Sequence, residues 1–346
     1  MSIQNKIVVV LILLLLGGSV VFIGLSFQAK NEQKTTLSLN QQVQKKYEQK
    51  TVDEDFLSTG KIFLSLEKSN KKEGDKLGIY SYDIKNDTLE EFLVDKNTNK
   101  NQEFYTNQLS PDGEQMVFAS SVEDESQIYI ADKNGENKKQ ITTSTEKLLK
   151  RCPKWSYSQD LIAFQTLPLE NKALDAFLVK NWEVFVTDLN GNEKFITKGA
   201  SPIFLSDGRL LVMKENGLYI FDIENSDNKG FAIWFFGINE MTSNMKLAVS
   251  DNGKYLALTD SFSVSIFEIE DWKSLSMLGE ARTIDVSGYW PVFSPDSNFM
   301  ILQKVNKETE KNPKLFMYNL QTLEKKELLD LGDYNRLHMF VSDWVE

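Results

Sequence analysis

LSPDGEQMVFASSVEDESQIYIADKNG, residues 109–135, is the stretch that decides the fold. It contains a Ser110-Pro111-Asp112-Gly113 turn, an apolar segment Met116-Val117-Phe118, and a second apolar segment, Ile128-Tyr129-Ile130-Ala131-Asp132, that runs into Asn134-Gly135. Asp-Gly and Asn-Gly next to apolar runs are hairpin signals, because glycine and asparagine accept the positive φ that tight antiparallel turns require. β-Branched and aromatic residues suit a pleated, half-buried surface. The stretch therefore reads as consecutive antiparallel strands.

Both halves of this pattern recur. The strand ending in an acid or amide is found at Ile79–Asp83, Ile128–Asp132, Val184–Asp188, Leu218–Asp222, Val264–Glu268 and Leu315–Asn319. The strand-plus-turn pattern is found at Leu109–Gly113, Trp155-Ser156-Tyr157-Ser158, Phe204–Gly208, Val249–Gly253, Phe293–Ser297 and Val341-Ser342-Asp343-Trp344. Apolar segments follow the first five turns, so each unit supplies about four strands. The first strand copy has no turn motif before it, and the last turn motif has no strand after it. An array whose last strand completes its first unit is a closed ring, which removes exposed sheet edges. Spacings between strand copies run from 34 residues (Val184 to Leu218) to 56 (Ile128 to Val184), bracketing the propeller-blade period of about 40–50. The expected fold is all-β, a six-bladed β-propeller over residues 58–346 in which a C-terminal strand completes blade 1.

Pro153-Lys154-Trp155-Ser156, Leu109-Ser110-Pro111-Asp112-Gly113 and Pro291-Val292-Phe293-Ser294-Pro295-Asp296 are each followed by an apolar strand. Together with the Ile-Tyr-Ile-x-Asp strands, they resemble the repeats of TolB-type (WD40-like) six-bladed propellers. The third turn motif lacks proline, the fourth, at Val249–Gly253, reads Ser-Asp-Asn-Gly, and blade 1 has no turn motif of its own. The resemblance implies the architecture. TolB is periplasmic and carries an additional N-terminal domain where this chain has a spacer, so a TolB-like role in envelope maintenance is not implied.

Residues 1–6 form a short N-terminal tail, and IVVVLILLLLGGSVVFIGLSF at 7–27 has no charge. At 1.5 Å per residue such a run reaches about 30 Å, the thickness of the hydrocarbon core. It reads as a single transmembrane helix, a signal anchor, with a cleaved signal peptide as the alternative. Residues 28–57 are a polar linker. Lysines flank the run on both sides, with Lys6 before it and Lys30, Lys34, Lys45 and Lys46 after it. Large domains translocate largely regardless of such charges, so the propeller is expected outside the cytoplasm, periplasmic or at the cell surface. A cytoplasm-facing assembly platform is the opposite topology.

The chain has 39 Lys+Arg against 50 Asp+Glu, a net charge of -11, which disfavours nucleic acid as a partner. The sole cysteine, Cys152, excludes an intramolecular disulfide and reads as a small buried hydrophobe rather than a reactive thiol. His338 is the sole histidine, expected just ahead of the closing strand. No Gly-x-Ser-x-Gly elbow and no His/Cys cluster occurs, so no catalytic residue, metal site or cofactor is expected. The acidic Asn-Gly segments at 132–136 and 188–192 lack the complete calcium-loop pattern and read as hairpin turns.

What remains is surface. The segments entering the inner strands carry Lys150, Arg151, Tyr289, Trp290, Arg336 and His338, residue types enriched at interface hot spots, which make up a candidate rim around the channel mouth. The insertion between Leu167 and Trp182 places Leu174, Phe177 and Leu178 at helix-like spacing, either to meet a partner or to cover the blade's own flank. Phe231–Phe236 reads as an outer strand. The expected function is a membrane-anchored binding scaffold for a protein or cell-envelope ligand. The alternative is a propeller enzyme of hydrolase or lyase type with its site in the channel.

Overall fold

The computed structural model describes residues 60–345 apart from 69–75, 95–102, 123–124, 144–147, 169–177, 225–230, 234–241, 243–244, 260–262, 273–275, 278–280, 285–287, 305–313 and 331–333. All of these residues belong to the compact unit Glu54–Glu346. The tail, the apolar run 7–27 and the linker lie outside the described residues. Among the described residues no helix is long and apolar enough to cross a membrane.

Six antiparallel sheets account for the described strands. In blade 2 the strands run from Glu103–Leu109 at the channel through Gln115–Val122 and Glu125–Asp132 to Lys139–Gln140 at the outside. The order is the same in blade 3 (Leu148–Trp155 to Glu193–Lys198), blade 4 (Ala200–Phe204 to Phe231–Ile233) and blade 6 (Gly288–Phe293 to Lys325–Asp330). Blade 5 starts at Lys246–Val249 and ends in two short outer strands, Ser276–Met277 and Arg282–Ile284, both paired with Val264–Asp271. Blade 1 takes its inner strand from the C-terminus, Tyr334–Val345 against Lys61–Lys68, so the ring closes as the repeat order requires.

The sixth turn copy departs from the sequence reading. Ser342 and Asp343 lie inside the closing strand, and Trp344 pairs with Ile62 in the same register as Trp155 with Ile162. The Ser-Asp pair thus lies within the strand where the other five copies turn, because in blade 1 no chain continues from inner to second strand. His338 and Arg336 likewise fall within this strand rather than ahead of it.

The second strand of each blade is buried on both faces, which explains unbroken apolar runs such as Met116-Val117-Phe118-Ala119. Six clusters fill the six blade interfaces. Phe63, Ile79 and Leu93 meet Leu109, Met116 and Phe118, and Val117, Ile128 and Ile130 meet Trp155, Ile162 and Phe164. The series continues round to Ile301, Leu315 and Met317 against Ile62, Leu64, Tyr80 and Trp344. Each such side chain contributes roughly 1.5–3 kcal/mol on burial.

Both acidic Asn-Gly segments are hairpin turns. Asp188 accepts hydrogen bonds from the backbone N–H groups of Asn190 and Asn192, both at 2.9 Å. Gly191 has φ 89°, and a Cβ there would meet the Ile141 carbonyl at 2.7 Å. The insertion contributes one described turn of 3-10 helix, Val179–Asn181, whose Val179 packs with Trp182 against blades 4 and 5. Leu174 and Phe177 lie outside the described residues. Phe231–Ile233 is an outer strand, with 234–236 outside the described residues.

Candidate functional site

Each inner strand pairs with its blade on one side only, so its other edge faces the channel. Leu109, Trp155, Phe204, Val249, Phe293 and Trp344 share one register position, opposite Met116, Ile162, Leu210, Leu256, Met300 and Ile62. Three residues earlier, the corresponding positions are Thr106, Cys152, Ser201, Lys246, Trp290 and Val341. At this level blades 2, 3, 4 and 6 slip register, with bulges between Tyr105 and Asn107, Arg151 and Lys154, Ala200 and Ile203, and Tyr289 and Val292. A bulge re-aims side chains and leaves an unpaired residue in the ladder.

The bulges carry strain. Cys152, Ser201 and Trp290 have φ of 54°, 51° and 58°, and each precedes a proline, which disfavours helical backbone in the residue before it. Such conformations cost on the order of 1–3 kcal/mol each. Side chains from the preceding blade hold two of them: Cys152 N–H donates to Thr106 Oγ1 at 2.9 Å and Ser201 N–H to Gln165 Oε1 at 2.7 Å. Trp155 N–H similarly donates to Gln108 Oε1 at 2.9 Å.

These strands enclose a cavity of about 570 Å³ to which all six contribute. Its bulge level carries Thr106, Cys152, Ser201, Lys246 and Trp290. Its packed level carries Trp155, Phe204, Phe293 and Trp344. Its turn end carries Pro111, Asp112, Tyr157, Asp251 and Pro295. Ligand sites of this size are mostly apolar with a few placed polar groups.

Charged groups line the channel along its length: Lys246 at the bulge level, Lys154 two residues past Cys152, and Asp112 and Asp251 at the turn end. At the bulge level Lys246 Nζ stands 4.6 Å from the centroid of the Trp290 ring. Burial holds its ammonium below the usual lysine range; Arg151 pushes it the same way, and Cys152 partly opposes them. Trp155 is 4% exposed, and its indole N–H has no acceptor among the described residues. At the turn end burial pushes the Asp251 carboxyl up, with Lys154 opposing. The Tyr157 phenol is pushed up to about 12 by burial and by Asp251.

The rim residues expected from sequence divide. Trp290 lines the cavity, and Arg151 acts electrostatically on Lys246. Lys150 is fully buried on the face of blade 3, over the Phe164 ring and 3.0 Å from Glu193 on the outermost strand. Tyr289, Arg336 and His338 lie on inner strands with side chains outside the described ones. Cys152 is half-buried and lines the channel, rather than being the fully buried small hydrophobe expected from sequence. Lys246, Trp155 and Asp251 were missed by sequence reasoning. Counting back four residues from the turn serine Ser250 would have found Lys246. Among the described residues no three His, Cys, Asp or Glu side chains are grouped to hold a metal ion.

Fold and site define a six-bladed propeller with a polar-ended, aromatic-walled channel. No protein-family model matches the chain, and no curated protein matches it. Among solved structures, TolB from Acinetobacter baumannii superposes with a TM-score of 0.59 at 16% identity, covering 82% of this chain and 66% of that one. This chain therefore spans just under two thirds of that TolB chain. A chain of a Nidogen/Laminin complex gives 0.55 at 9% identity, covering 82% and 97%. An oligogalacturonate lyase in complex with manganese gives 0.53 at 10%, covering 73% and 71%. The fold is a TolB-like β-propeller.

Proposed function

We propose that this chain is a membrane-anchored, extracytoplasmic propeller that binds a protein partner or cell-envelope ligand at its central channel. The observation that carries the reading is the cavity to which all six inner strands contribute, strained at the Cys152, Ser201 and Trp290 bulges and bearing charge at both ends. Strained backbone persists only where surrounding structure over-determines it, and it clusters at functional sites. The apolar run 7–27 supports the anchor by its length. The Nidogen/Laminin structure provides a protein complex among chains of this fold.

The test is site-specific photocross-linking in intact cells, with p-benzoylphenylalanine replacing Trp290 at the channel or Phe195, 49% exposed on the outer strand of blade 3. A discrete adduct from position 290 and none from 195 supports the channel as the binding surface. Equal labelling from both positions overturns it. In the same cells, external protease should remove a C-terminal tag while a cytoplasmic control survives; a tag cleaved only after lysis reverses the topology.

A further inference from the structure

We infer that the closing strand is the ring's gate: Tyr334–Val345 leaves its seat between blade 6 and Lys61–Lys68 while the rest of the propeller stays folded, and its release opens the channel sideways. The gate works whatever the channel binds. In blades 2 to 6 a short turn joins the inner strand to the second strand. Each turn is closed by a backbone N–H donating to a carbonyl across it, from Ser110 to Gln115 at 2.7 Å, Ser156 to Leu161 at 2.9 Å, Leu205 to Arg209 at 2.8 Å, Ser250 to Tyr255 at 2.9 Å and Ser294 to Phe299 at 2.9 Å. The closing strand has no such turn, because it and Lys61–Lys68 come from opposite ends of the repeat array. Its ladder also slips register twice, between Phe63 and Leu64 and between Ser65 and Glu67, where no other inner strand slips more than once. Each slip leaves residues out of the ladder.

The joints between blades differ in the same direction. Ser65, Gln165 and Gln303 occupy one register position, three residues after Ile62, Ile162 and Met300 on the second strands. Ser65 Oγ accepts from Asn107 Nδ2 of blade 2 at 3.2 Å, and Gln165 Oε1 accepts from the Ser201 N–H of blade 4 at 2.7 Å. Each of these two side chains thus ties its blade to the inner strand of the next. Gln303 is 2% exposed and shares the strand face of Ile301, which packs with Ile62, Leu64 and Trp344 of blade 1. Among the described residues no donor reaches its Oε1. The tie that blade 3 makes to blade 4 is missing where blade 6 meets the closing strand, and the buried carbonyl bears its desolvation cost in the closed ring. The strand is held instead by its ladder with Lys61–Lys68 and by the packing of Trp344. Trp344 also lines the cavity, so departure of the strand removes one of the channel's six walls.

The experiment is amide hydrogen exchange of the full-length chain under native conditions, read by peptide mass. Amides of Tyr334–Val345 should exchange at least about tenfold faster than those of the inner strands Leu148–Trp155 and Ala200–Phe204, as a locally opening element does. Exchange no faster than in those strands overturns the inference. Two glutamine variants test the missing tie, with thermal unfolding as the control for folding. Gln165→Leu should speed exchange in Ala200–Phe204 by roughly two- to tenfold, the range for one hydrogen bond, whereas Gln303→Leu should leave the closing strand unchanged or slow it. Equal acceleration from the two would mean that Gln303 latches the closing strand, and the gate falls. Opening of the channel is read at Cys152, the sole cysteine, which is half-buried on the channel wall. Lys61→Cys combined with Val345→Cys places a disulfide across the closing ladder, where these two residues are partners. In the oxidised variant Cys152 should react with a bulky maleimide at least about fivefold more slowly than in the parent, because labelling tracks the open population. An unchanged rate overturns the inference, since the channel is then reached without the strand's release.

Discussion

The turn end of the inner strands and the bulge level three to four residues before it belong to the same strands, yet they are built on opposite principles. At the turn end the blades are near copies. Ser110, Ser250 and Ser294 each accept a backbone N–H five residues on, at 2.9, 2.8 and 2.9 Å, and each donates to the side chain two residues on. Asp112 and Asp296 accept further backbone N–H groups, and both carboxyls lie below the usual carboxylate range: at Asp112 the Ser110 bond leads, and at Asp296 burial pushes upward while the bonds from Ser294 and Asn298 together outweigh it. At the bulge level the same register position is occupied by Thr106, Cys152, Ser201, Lys246 and Trp290, no two alike. Polar groups there are strained or shifted away from their charged forms. Repetition marks what the fold needs from every blade, and divergence at one level marks what the channel needs once.

The largest expected effect tests the packed level that separates the two. Trp344, 3% exposed, fills the blade 6–blade 1 interface from the closing strand. Trp344→Ala should cost about 3–5 kcal/mol by chemical denaturation, the range for truncating a buried aromatic. A loss below about 1 kcal/mol would mean that the closing strand is not held by this contact. A serine pair sharpens the contrast next. Ser294→Ala removes the acceptor for the Phe299 N–H and the donor to Asp296, and should cost about 1–2 kcal/mol. Ser201→Ala should stay within about 0.5 kcal/mol, because among the described residues the Ser201 hydroxyl holds no hydrogen bond. Equal losses from the two would erase the distinction between turn and bulge.

How far the sequence carries the reader follows from the same division. Ser-Pro-Asp-Gly, Asn-Gly and Ile-Tyr-Ile-x-Asp act locally, through φ preference and side-chain acceptors within five residues, and so the blades and their closure were legible. The Ser342-Asp343 pair misled because it has the composition of a turn without a following strand to turn into. Lys150 and Arg151 are adjacent in sequence, yet Lys150 is buried on the blade face against Phe164 and Glu193, and it is Cys152, at the bulge, that lines the channel. Cys152-Pro153, Ser201-Pro202 and Trp290-Pro291 were a visible signal, each with its proline three residues ahead of the turn. Lys246 has no proline beside it, and its importance comes from neighbours contributed by blades 3 and 6, which no local pattern contains.

Lys246 offers a test with the opposite sign from most core changes. Its folded-state pKa lies below its ordinary value of 10.5, so between the two values the unfolded chain holds a proton that the folded chain has released. Stability therefore rises with pH through that window, and below it the folded state bears the cost of a desolvated charge. Lys246→Met should be more stable than the parent at neutral pH, and the difference should shrink as pH approaches 10.5. A methionine variant that is less stable at neutral pH would show that the Trp290 contact and the other interactions of the ammonium outweigh the cost of its burial.

The finest test compares two aspartates that differ by one step in their turns. In blade 5 Asn252 takes the capping role that Asp112 has in blade 2, accepting from Lys254 N–H at 2.9 Å, and this leaves Asp251 at the position of Pro111, facing the channel. Asp112, held low by Ser110 and the Glu114 N–H, contributes stability that is present above its ordinary value of 3.8 and lost as pH falls through its folded value. Asp251, pushed up by burial, keeps its proton in the folded state at pH values where the unfolded chain has lost it. Its contribution is therefore fullest below 3.8 and is lost as pH rises through its folded value. Relative to Asp112→Asn, the parent should lose stability on acidification; relative to Asp251→Asn, it should lose stability as pH rises above 3.8. Denaturant midpoints measured across that range for both variants should give difference curves of opposite slope. Curves of the same slope would place Asp251 among the ordinary turn carboxylates, held no differently from Asp112.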